Sequence, residues 1–282
     1  MLILAATPIG NIGDASPRLI EAITSAKFIA AEDTRTTLKL TGALGISLGA
    51  KLFSMHEHNE AGRLDQLLEL AETSDVLVLS DAGMPTVSDP GYLLVREAVA
   101  RGIDITVIPG PSAVLAALAV SGLATDRFCF EGFLGRKSTD RLKQFEALRH
   151  EARTMVFFES PHRIEESLLD AINVFGPDRQ AAVCRELTKR FEQTKRGTLA
   201  ELHEWAAVGT KGELVLVVAG GTSDTADLAQ VASLAVEKIS AGEPTSAVVQ
   251  ELAKIYNVSK NELYDLVLQL KPKQTKSGKP AD

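Results

Sequence analysis

The chain has 282 residues, enough for two domains of ordinary size, and 45% of them are hydrophobic, which is ample for a buried core. A net charge of −7 argues against a generally basic surface that coats nucleic acid, although it leaves room for a local basic patch. Cys129 and Cys184 each lie in an apolar run, so a secreted disulfide framework is disfavoured. No apolar run approaches the roughly 20 residues of a membrane helix, and the N-terminal run lacks a basic region and is interrupted by Pro8 and Gly10. We therefore expect a cytoplasmic protein with no membrane partner.

Short apolar segments alternate with amphipathic ones as far as residue 221. Strands are predicted at residues 2–7, 28–31, 51–55, 76–79, 105–108, 128–131, 154–158, 181–185, 191–197 and 213–218. Amphipathic helices are predicted at residues 63–72, 93–101, 138–149 and 164–175. This alternation is typical of β-α-β units and predicts an α/β fold with a largely parallel sheet.

The pattern breaks twice, and each break predicts a boundary. A small apolar helix at residues 112–121 ends at Gly122, so we predict two α/β domains, residues 1–117 and 118–221, with a cleft between them. After Gly221 a polar linker leads into three helical patterns without strands, at residues 228–240, 245–256 and 260–270. They predict a helical segment, 226–271, whose second and third patterns have the proportions of a helix-turn-helix with its turn at 256–258. The tail, 272–282, is predicted to be disordered.

Three loops rich in Gly, Pro and Asp follow strands of the first domain, at residues 7–14, 81–91 and 109–112. The carboxyl ends of parallel strands meet at one edge of the sheet, where open α/β folds bind small ligands. We therefore expect one ligand site built from all three loops. Taken alone, the first loop is explained equally well as a tight turn, and helix capping alone accounts for Ser112. The first loop also lacks the third glycine of the dinucleotide fingerprint.

The strand ends carry motifs that are specific in combination. In the first half they are Thr7-Pro8-Ile9-Gly10-Asn11, Ala31-Glu32-Asp33-Thr34-Arg35, His56-Glu57-His58-Asn59-Glu60, Ser80-Asp81-Ala82-Gly83-Met84-Pro85, Asp89-Pro90-Gly91 and Pro109-Gly110-Pro111. In the second half they are Arg127-Phe128-Cys129-Phe130-Glu131-Gly132-Phe133, Phe158-Glu159-Ser160-Pro161-His162-Arg163 and Arg185-Glu186-Leu187-Thr188-Lys189. Over residues 1–221 this set resembles the ribosomal RNA small-subunit methyltransferase I family of the tetrapyrrole methylase superfamily. Met84 is a departure, since some members carry Thr there.

The resemblance implies two α/β domains with S-adenosylmethionine bound in the cleft, a homodimer and no metal. The implied reaction is methylation of the 2′-hydroxyl of a cytidine ribose in the decoding region of 16S ribosomal RNA, which makes the small ribosomal subunit the macromolecular partner. The first-half residues implied for the cofactor are Pro8, Ile9, Gly10, Asn11, Asp81, Ala82, Gly83, Pro85, Val87, Ser88, Pro109, Gly110, Pro111 and Ser112. By analogy with the family, Glu159, Ser160 and Ala182 lie near the adenine.

The sequence pattern does not decide which residues act on the acceptor hydroxyl. A ribose hydroxyl is a poor nucleophile and gains from a nearby base, for which Glu159, Lys189 and His56 are candidates. His56 and His58 follow a strand, and structural and catalytic roles are equally supported; their spacing fits a metal pair poorly. Glu32, Asp33 and Arg35 follow another strand, where Asp33 or Thr34 also fits an ordinary helix cap.

Basic residues form two candidate RNA-facing patches, although runs of charge are usually solvated faces. One contains Arg185, Lys189, Arg190, Lys195 and Arg196. The other contains Arg136, Lys137, Arg141 and Lys143. With Arg35 and Arg163, the residues Arg185, Lys189 and Arg190 are the candidates for holding RNA phosphates, and surface ion pairs explain any one of them at least as well.

Two other functions remain open at this point. The same fold and cofactor would serve a methyltransferase of a tetrapyrrole or corrinoid precursor. A non-catalytic ribosome-assembly or RNA-binding factor would instead use the helix-turn-helix, and its cleft would be vestigial.

Overall fold

The computed structural model describes residues 1–56, 58–221, 228–256 and 258–270. Glu57 of the histidine motif, the linker at 222–225, Asn257 of the predicted turn and the predicted disordered tail, 272–282, lie outside these residues. The chain divides into two compact units, one of residues 1–149 and 153–219, the other of residues 150–152 and 220–282.

The first half of the larger unit is a five-stranded sheet in which every neighbouring pair is parallel. Its strands are β1 (Leu2–Ala5), β2 (Phe28–Ala31), β3 (Lys51–Ser54), β4 (Val76–Leu79) and β5 (Ile105–Ile108), in the order β3-β2-β4-β1-β5. All five carboxyl ends therefore lie at one edge, which the sequence predicted for this half.

Helices cover both faces of this sheet, which is why its central strand is apolar throughout. They are α1 (Pro17–Ser25), α2 (Thr34–Ala43), α3 (Glu60–Thr73) and α4 (Tyr92–Ala100). Along β4, Val76 and Val78 pack in a core with α3 and α4, while Leu77 and Leu79 pack on the other face with α1. The alternation of side chains along a strand sends successive residues to opposite faces, so a strand covered on both sides needs an unbroken apolar run.

The second half is a mixed sheet, so the prediction of a largely parallel sheet is wrong here. Its strands are β6 (Phe128–Phe133), β7 (Thr154–Glu159), β8 (Gln180–Arg185), β9 (Gln193–Thr198) and β10 (Leu214–Val218), in the order β6-β7-β10-β8-β9. Only β6 and β7 pair in parallel; the other neighbours are antiparallel. Hydrophobic periodicity marks a strand but does not encode its direction. Since β10 is antiparallel to both β7 and β8, those two run parallel, and Glu159 and Arg185 both lie opposite Leu214 at one edge.

Four helices pack on the second sheet: α5 (Ala113–Ser121), α6 (Ser138–Ala147), α7 (Ile164–Phe175) and α8 (Leu199–Ala207). Helix α5 packs on one face and the other three on the opposite face. The Ser112 hydroxyl caps α5, as its position predicted, and Gly122 ends α5 in the left-handed conformation. Helix α8 was not among the predicted elements, although Thr198 and Glu201 form a capping box at its start. The predicted boundary at 117/118 falls inside α5, and the predicted domain limits remain predictions.

The smaller unit contains three described helices, α9 (Leu228–Ser240), α10 (Thr245–Ile255) and α11 (Lys260–Leu270). They share a core that includes Val231, Val248 and Leu263. Two α/β halves followed by helices confirm the predicted fold class. Of the helices that the structure describes, none has the length and apolar character needed to cross a membrane.

Candidate active site

A cavity of about 370 Å³ lies between the two sheets of the larger unit. Both halves contribute to its wall. From the first half come Ile9, Ala82, Gly83, Met84, Val87, Asp89, Ser112, Ala113 and Val114. From the second half come Phe133, Phe158, Glu159, Ser160, Pro161, Gly212, Glu213, Leu214 and Val215. This volume falls in the range of small-molecule sites, and an apolar wall with a few polar groups is what such a site needs.

All three predicted loops reach the cavity, but not through every predicted residue. The predicted cofactor residues on its wall are Ile9, Ala82, Gly83, Val87, Ser112, Glu159 and Ser160. Those elsewhere, all within the described part of the chain, are Pro8, Gly10, Asn11, Asp81, Pro85, Ser88, Pro109, Gly110, Pro111 and Ala182. Ala182 is fully buried in the core beneath α5. The cavity wall also contains residues that were not predicted to bind the cofactor, among them Met84, Asp89, Phe133 and Glu213. Of these, Asp89 belongs to the Asp-Pro-Gly motif that the sequence analysis named.

The first loop is braced against the second half of the unit. The Asn11 backbone N–H donates to the Thr188 hydroxyl at 3.1 Å. A Cβ added to Gly10 would lie 2.5 Å from Lys189 Cγ and 3.1 Å from the Leu187 carbonyl oxygen. Glycine at position 10 is therefore explained by close approach of another part of the protein.

The second loop pairs with the first and is held in an unusual backbone path. Thr7 and Gly83 exchange both backbone hydrogen bonds, at 2.9 and 3.1 Å. Further along, Thr86 and Ser88 have φ of 74° and 64°, which is uncommon for residues with a side chain. This loop is a fixed element of the cavity wall.

Three carboxyl groups lie near one another at this edge of the first sheet. The Asp81 backbone N–H donates to Glu32 Oε2, and the Asp33 N–H donates to Asp81 Oδ1, both at 3.1 Å. Burial, together with the charge of Glu32, raises the pKa of Asp89 to about 7. Burial also raises the pKa values of Glu32 and Asp81. The cavity is therefore bordered by negative charge that a cationic ligand would stabilise.

Arg35 belongs to an exposed pair beside this cluster. Its guanidinium binds the Asp33 carboxylate at 2.6 Å, and the arginine side chain is 84% exposed. The hydrogen bonds from Arg35 lower the pKa of Asp33 to about 2. Asp33 also caps α2, which confirms the helix-cap interpretation, while Arg35 still presents its charge to solvent.

Glu159 lies on the cavity wall with both carboxylate oxygens engaged. Oε1 accepts from the Ser160 N–H at 2.6 Å and pairs with Arg163 at 2.7 Å, and Oε2 accepts from the Ser167 hydroxyl at 2.5 Å. The side chain is inaccessible to solvent. This geometry fits a residue that positions the Ser160 loop and disfavours Glu159 as a proton acceptor. It also commits Arg163 to an internal ion pair.

Lys189 is held between two carboxylates. Its Nζ lies 3.0 Å from Glu186 Oε1 and 2.9 Å from Glu213 Oε2. Partial burial acts to lower the pKa of Lys189, but the two carboxylates outweigh it and the pKa is raised. Lys189 is therefore a cation at neutral pH, suited to stabilising negative charge and unsuited to accepting a proton.

The described residues of the histidine motif, His56 and residues 58–60, are not part of the cavity wall. The His56 backbone N–H donates to Asn59 Oδ1 at 2.8 Å, and the rings of His56 and His58 are 6.1 Å apart. Glu60 is buried, and its Oε1 accepts from the backbone N–H groups of Gly91, Leu93 and Leu94. It thereby caps α4 at the end of the second loop. Within the described ranges, no group of three or more His, Cys, Asp or Glu side chains is placed to hold a metal ion.

The two basic patches are partly structural. Arg141 is 1% exposed and pairs with Asp170 at 2.7 Å, so its assignment to an RNA-facing patch is wrong. Arg196 donates to the Val120 and Ser121 carbonyl oxygens at the end of α5. Arg185 donates to the Lys211 carbonyl oxygen at 2.6 Å, and the Arg190 guanidinium lies 5.5 Å from the Phe191 ring centroid. Arg136, Lys137 and Lys143 are exposed.

Comparison with known proteins identifies the family to which this architecture belongs. Residues 1–203 match the family model "Tetrapyrrole (Corrin/Porphyrin) Methylases". The chain belongs to the tetrapyrrole methylase family. It is 45% identical over 282 residues to "Ribosomal RNA small subunit methyltransferase I" of Mycobacterium tuberculosis, covering 99% of this chain and 98% of that one. Further relatives of the same name, from Escherichia coli and Xylella fastidiosa, are 40% and 46% identical.

Solved structures show the same fold at low sequence identity. The methyltransferase CobJ superposes with a TM-score of 0.59 at 21% identity, over 79% of this chain and 94% of that one. A uroporphyrin-III C-methyltransferase from Thermus thermophilus, complexed with S-adenosylhomocysteine, superposes with a TM-score of 0.52 at 18% identity, over 77% of this chain and 95% of that one. The predicted family, fold class and cofactor are thereby confirmed: this methylase is an S-adenosylmethionine-dependent methyltransferase.

Proposed function

We propose that this methylase transfers the methyl group of S-adenosylmethionine to the 2′-hydroxyl of a cytidine ribose in the decoding region of 16S ribosomal RNA. The observation that carries the proposal is 40–45% identity, over 95–99% of this chain, to relatives named for small-subunit ribosomal RNA, combined with a cavity at the predicted loops. Tetrapyrrole methyltransferases resemble the chain at lower identity, in fold alone.

The cavity supports a specific role for the first-half loops. S-adenosylmethionine carries positive charge on its sulfonium and amino groups. Asp89 on the cavity wall, with Glu32 and Asp81 near enough to interact with its charge, supplies the opposite charge. The apolar wall from Ile9 and Val87 suits the adenosine and the methionine chain. We assign cofactor binding to these loops and to the Ser160 loop opposite them.

Methyl transfer from a sulfonium needs alignment more than activation, because the methyl group already carries a good leaving group. Binding both substrates in line converts a bimolecular step into one within the complex. The acceptor hydroxyl must lose its proton as the new bond forms, and developing negative charge on its oxygen would be stabilised by a nearby cation. Lys189 is our candidate for that role, beside Gly10 of the first loop.

The RNA-binding surface that we propose contains fewer basic residues than the sequence suggested. Arg35, in the first turn of α2, and Arg190, between β8 and β9, are exposed. Arg136, Lys137 and Lys143 are exposed on the second half. Arg163 and Arg196 make contacts within the protein.

A homodimer, implied by the family resemblance, also remains a prediction. Sedimentation of the purified protein would check it.

The deciding experiment is transfer of labelled methyl from S-adenosylmethionine to small ribosomal subunits isolated from a strain lacking this protein, followed by nucleoside mass spectrometry. We expect a single 2′-O-methylated cytidine. A methylated base, or another nucleoside, would overturn the acceptor assignment and leave the methyltransferase. Absence of transfer with cofactor binding intact would contradict the proposal, and transfer to a corrinoid precursor would then favour the tetrapyrrole alternative.

A further inference from the structure

One aromatic ring on the cavity wall is exposed to an unusual degree. Phe133 is 61% exposed, whereas the apolar wall residues Ile9, Val114 and Leu214 are buried. Val87 on the same wall is 42% exposed, so Phe133 is not the sole apolar side chain that the described cavity wall presents to water. Exposed apolar surface that is contiguous can mark a ligand-binding site. Phe133 thus lies where a molecule entering from solvent would touch both the ring and the cavity contents.

A β-bulge directs this ring to its place. Phe130 lies opposite Val156 and Phe133 lies opposite Phe158, so β6 holds one residue more than β7 between the two pairs. Gly132, with φ of 71°, allows the irregular backbone. Side chains three residues apart on a regular strand point to opposite faces, yet Phe130 and Phe133 both contact Phe158. Bulges next to active sites are known to redirect a side chain in this way.

The ring is also held in a fixed orientation. The ring centroids of Phe133 and Phe158 are 5.2 Å apart with planes at 60°, and those of Phe130 and Phe158 are 4.9 Å apart at 63°. Edge-to-face packing of this kind stabilises one arrangement of the rings. A rigid, solvent-facing phenyl ring can stack on a planar partner with little loss of conformational entropy.

We propose that Phe133 is a stacking platform for the base of the acceptor nucleotide, an inference that rests on the proposed RNA substrate. Protein aromatic rings recognise unpaired RNA bases by stacking, and nearby cations hold the adjoining phosphates. Arg136 and Lys137 follow within four residues, and both are exposed. Because most of the ring faces solvent, it is open to an incoming acceptor.

The test compares Phe133→Ala, Phe133→Leu and Phe133→Tyr in single-turnover methylation of unmodified small ribosomal subunits, with calorimetry of S-adenosylmethionine binding. Loss of one base-aromatic stack predicts a rise of roughly 10-fold or more in the half-saturating subunit concentration for the alanine variant. Leucine keeps apolar volume without a π face and should resemble alanine, whereas tyrosine should resemble phenylalanine. The dissociation constant for S-adenosylmethionine should stay within about twofold in all three. Val208→Ala, at an 85% exposed apolar site outside the cavity wall, is the control for exposed surface.

The outcomes separate this inference from the proposed function. Weaker cofactor binding in Phe133→Ala, with or without a changed subunit dependence, would assign the ring to the cofactor or to support of the cavity and overturn the inference. Unchanged behaviour of every variant would overturn it as well. If the unaltered protein transfers no methyl to small subunits, the proposed function fails, and the inference fails with it.

Discussion

At the scale of single residues, the pKa shifts separate two kinds of charged group around the cavity. Lys189 is stabilised as a cation by Glu186 and Glu213. Asp89 is destabilised as an anion by burial and by neighbouring negative charge. Lys189 is thus charged before any ligand binds, whereas Asp89 needs a cationic ligand to become fully ionised near neutral pH.

Replacing Lys189 by alanine should lower the turnover rate strongly and leave cofactor binding intact. Removing the cation takes away stabilisation of the developing oxyanion, and losses of roughly 100-fold in rate are typical of such groups. Single-turnover methylation and calorimetry with S-adenosylmethionine measure the two properties separately. Lys189→Arg, which keeps the charge, should restore part of the rate. Unchanged turnover in Lys189→Ala would remove Lys189 from the mechanism.

Affinity for S-adenosylmethionine should increase as the pH rises through about 7. Asp89 is protonated below that pKa, and only its carboxylate attracts a cationic ligand, so binding should release a proton near neutral pH. Calorimetry in buffers of different ionisation enthalpy would count that proton. Asp89→Asn should bind the cofactor weakly and lose most of the pH dependence. An equal pH dependence in Asp89→Asn would assign the titration to another group.

The same raised pKa has a consequence for folding. Between the ordinary aspartate pKa of 3.8 and about 7, the folded protein holds the Asp89 proton more tightly than the unfolded chain does. The Asp89 contribution to the free energy of unfolding therefore falls as pH rises through that window and is constant above it. Bound cofactor should offset this loss, because it binds the folded state alone.

At the scale of elements, Glu60 connects the histidine motif to the cofactor loops. Helix α4 begins at Tyr92, and Gly91 before it has no side chain to cap the helix. The Glu60 carboxylate on α3 accepts three backbone N–H groups there instead. The end of the loop that carries Asp89 is thus fixed by a residue from a different strand end. The capping of α4 explains why Glu60 is needed at the end of this motif, and it does not require the histidines to contact substrate.

Glu60→Ala should destabilise the protein by about 2 kcal/mol, because it leaves buried N–H donors at a helix terminus without their acceptor. It should also weaken cofactor binding through the loosened loop. Glu60→Gln retains an acceptor oxygen at the same position and should recover much of both properties. Chemical denaturation and cofactor calorimetry provide the measurements. Equal stability of the alanine variant would show that water replaces the carboxylate.

The sequence predicted element positions better than it predicted contacts across space. The strand at Val76–Leu79 was predicted to the residue, because a four-residue apolar run between polar ends has few other interpretations. Strand direction in the second sheet was predicted wrongly, because β7 and β10 have the same apolar pattern whichever way they run. Gly10 was attributed to a ligand, yet its neighbour is Lys189, which is distant in the chain. Arg141 is counted as a surface charge by sequence alone because its partner Asp170 lies on another helix.

At the scale of the whole molecule, the cavity and the C-terminal helices belong to different units. All residues on the cavity wall lie in the unit of residues 1–149 and 153–219, and helices α9–α11 have their own core. A protein that acts through its cavity and one that acts through its helices therefore respond differently to removal of the helices.

A chain ending at Gly221 should bind S-adenosylmethionine with a dissociation constant within about twofold of that of the full chain, because every group that lines the cavity is retained. Calorimetry on both chains, with circular dichroism to establish that the shorter one is folded, makes the comparison. A folded short chain that no longer binds the cofactor would mean that residues after 221 complete the site. Methylation of small subunits and binding to small subunits, both measured with the same chain, then test the competing function. A non-catalytic factor built on the helices would methylate no subunit at either length and would lose subunit binding when the helices are removed. An enzyme retains the reacting groups and transfers methyl wherever the acceptor reaches them.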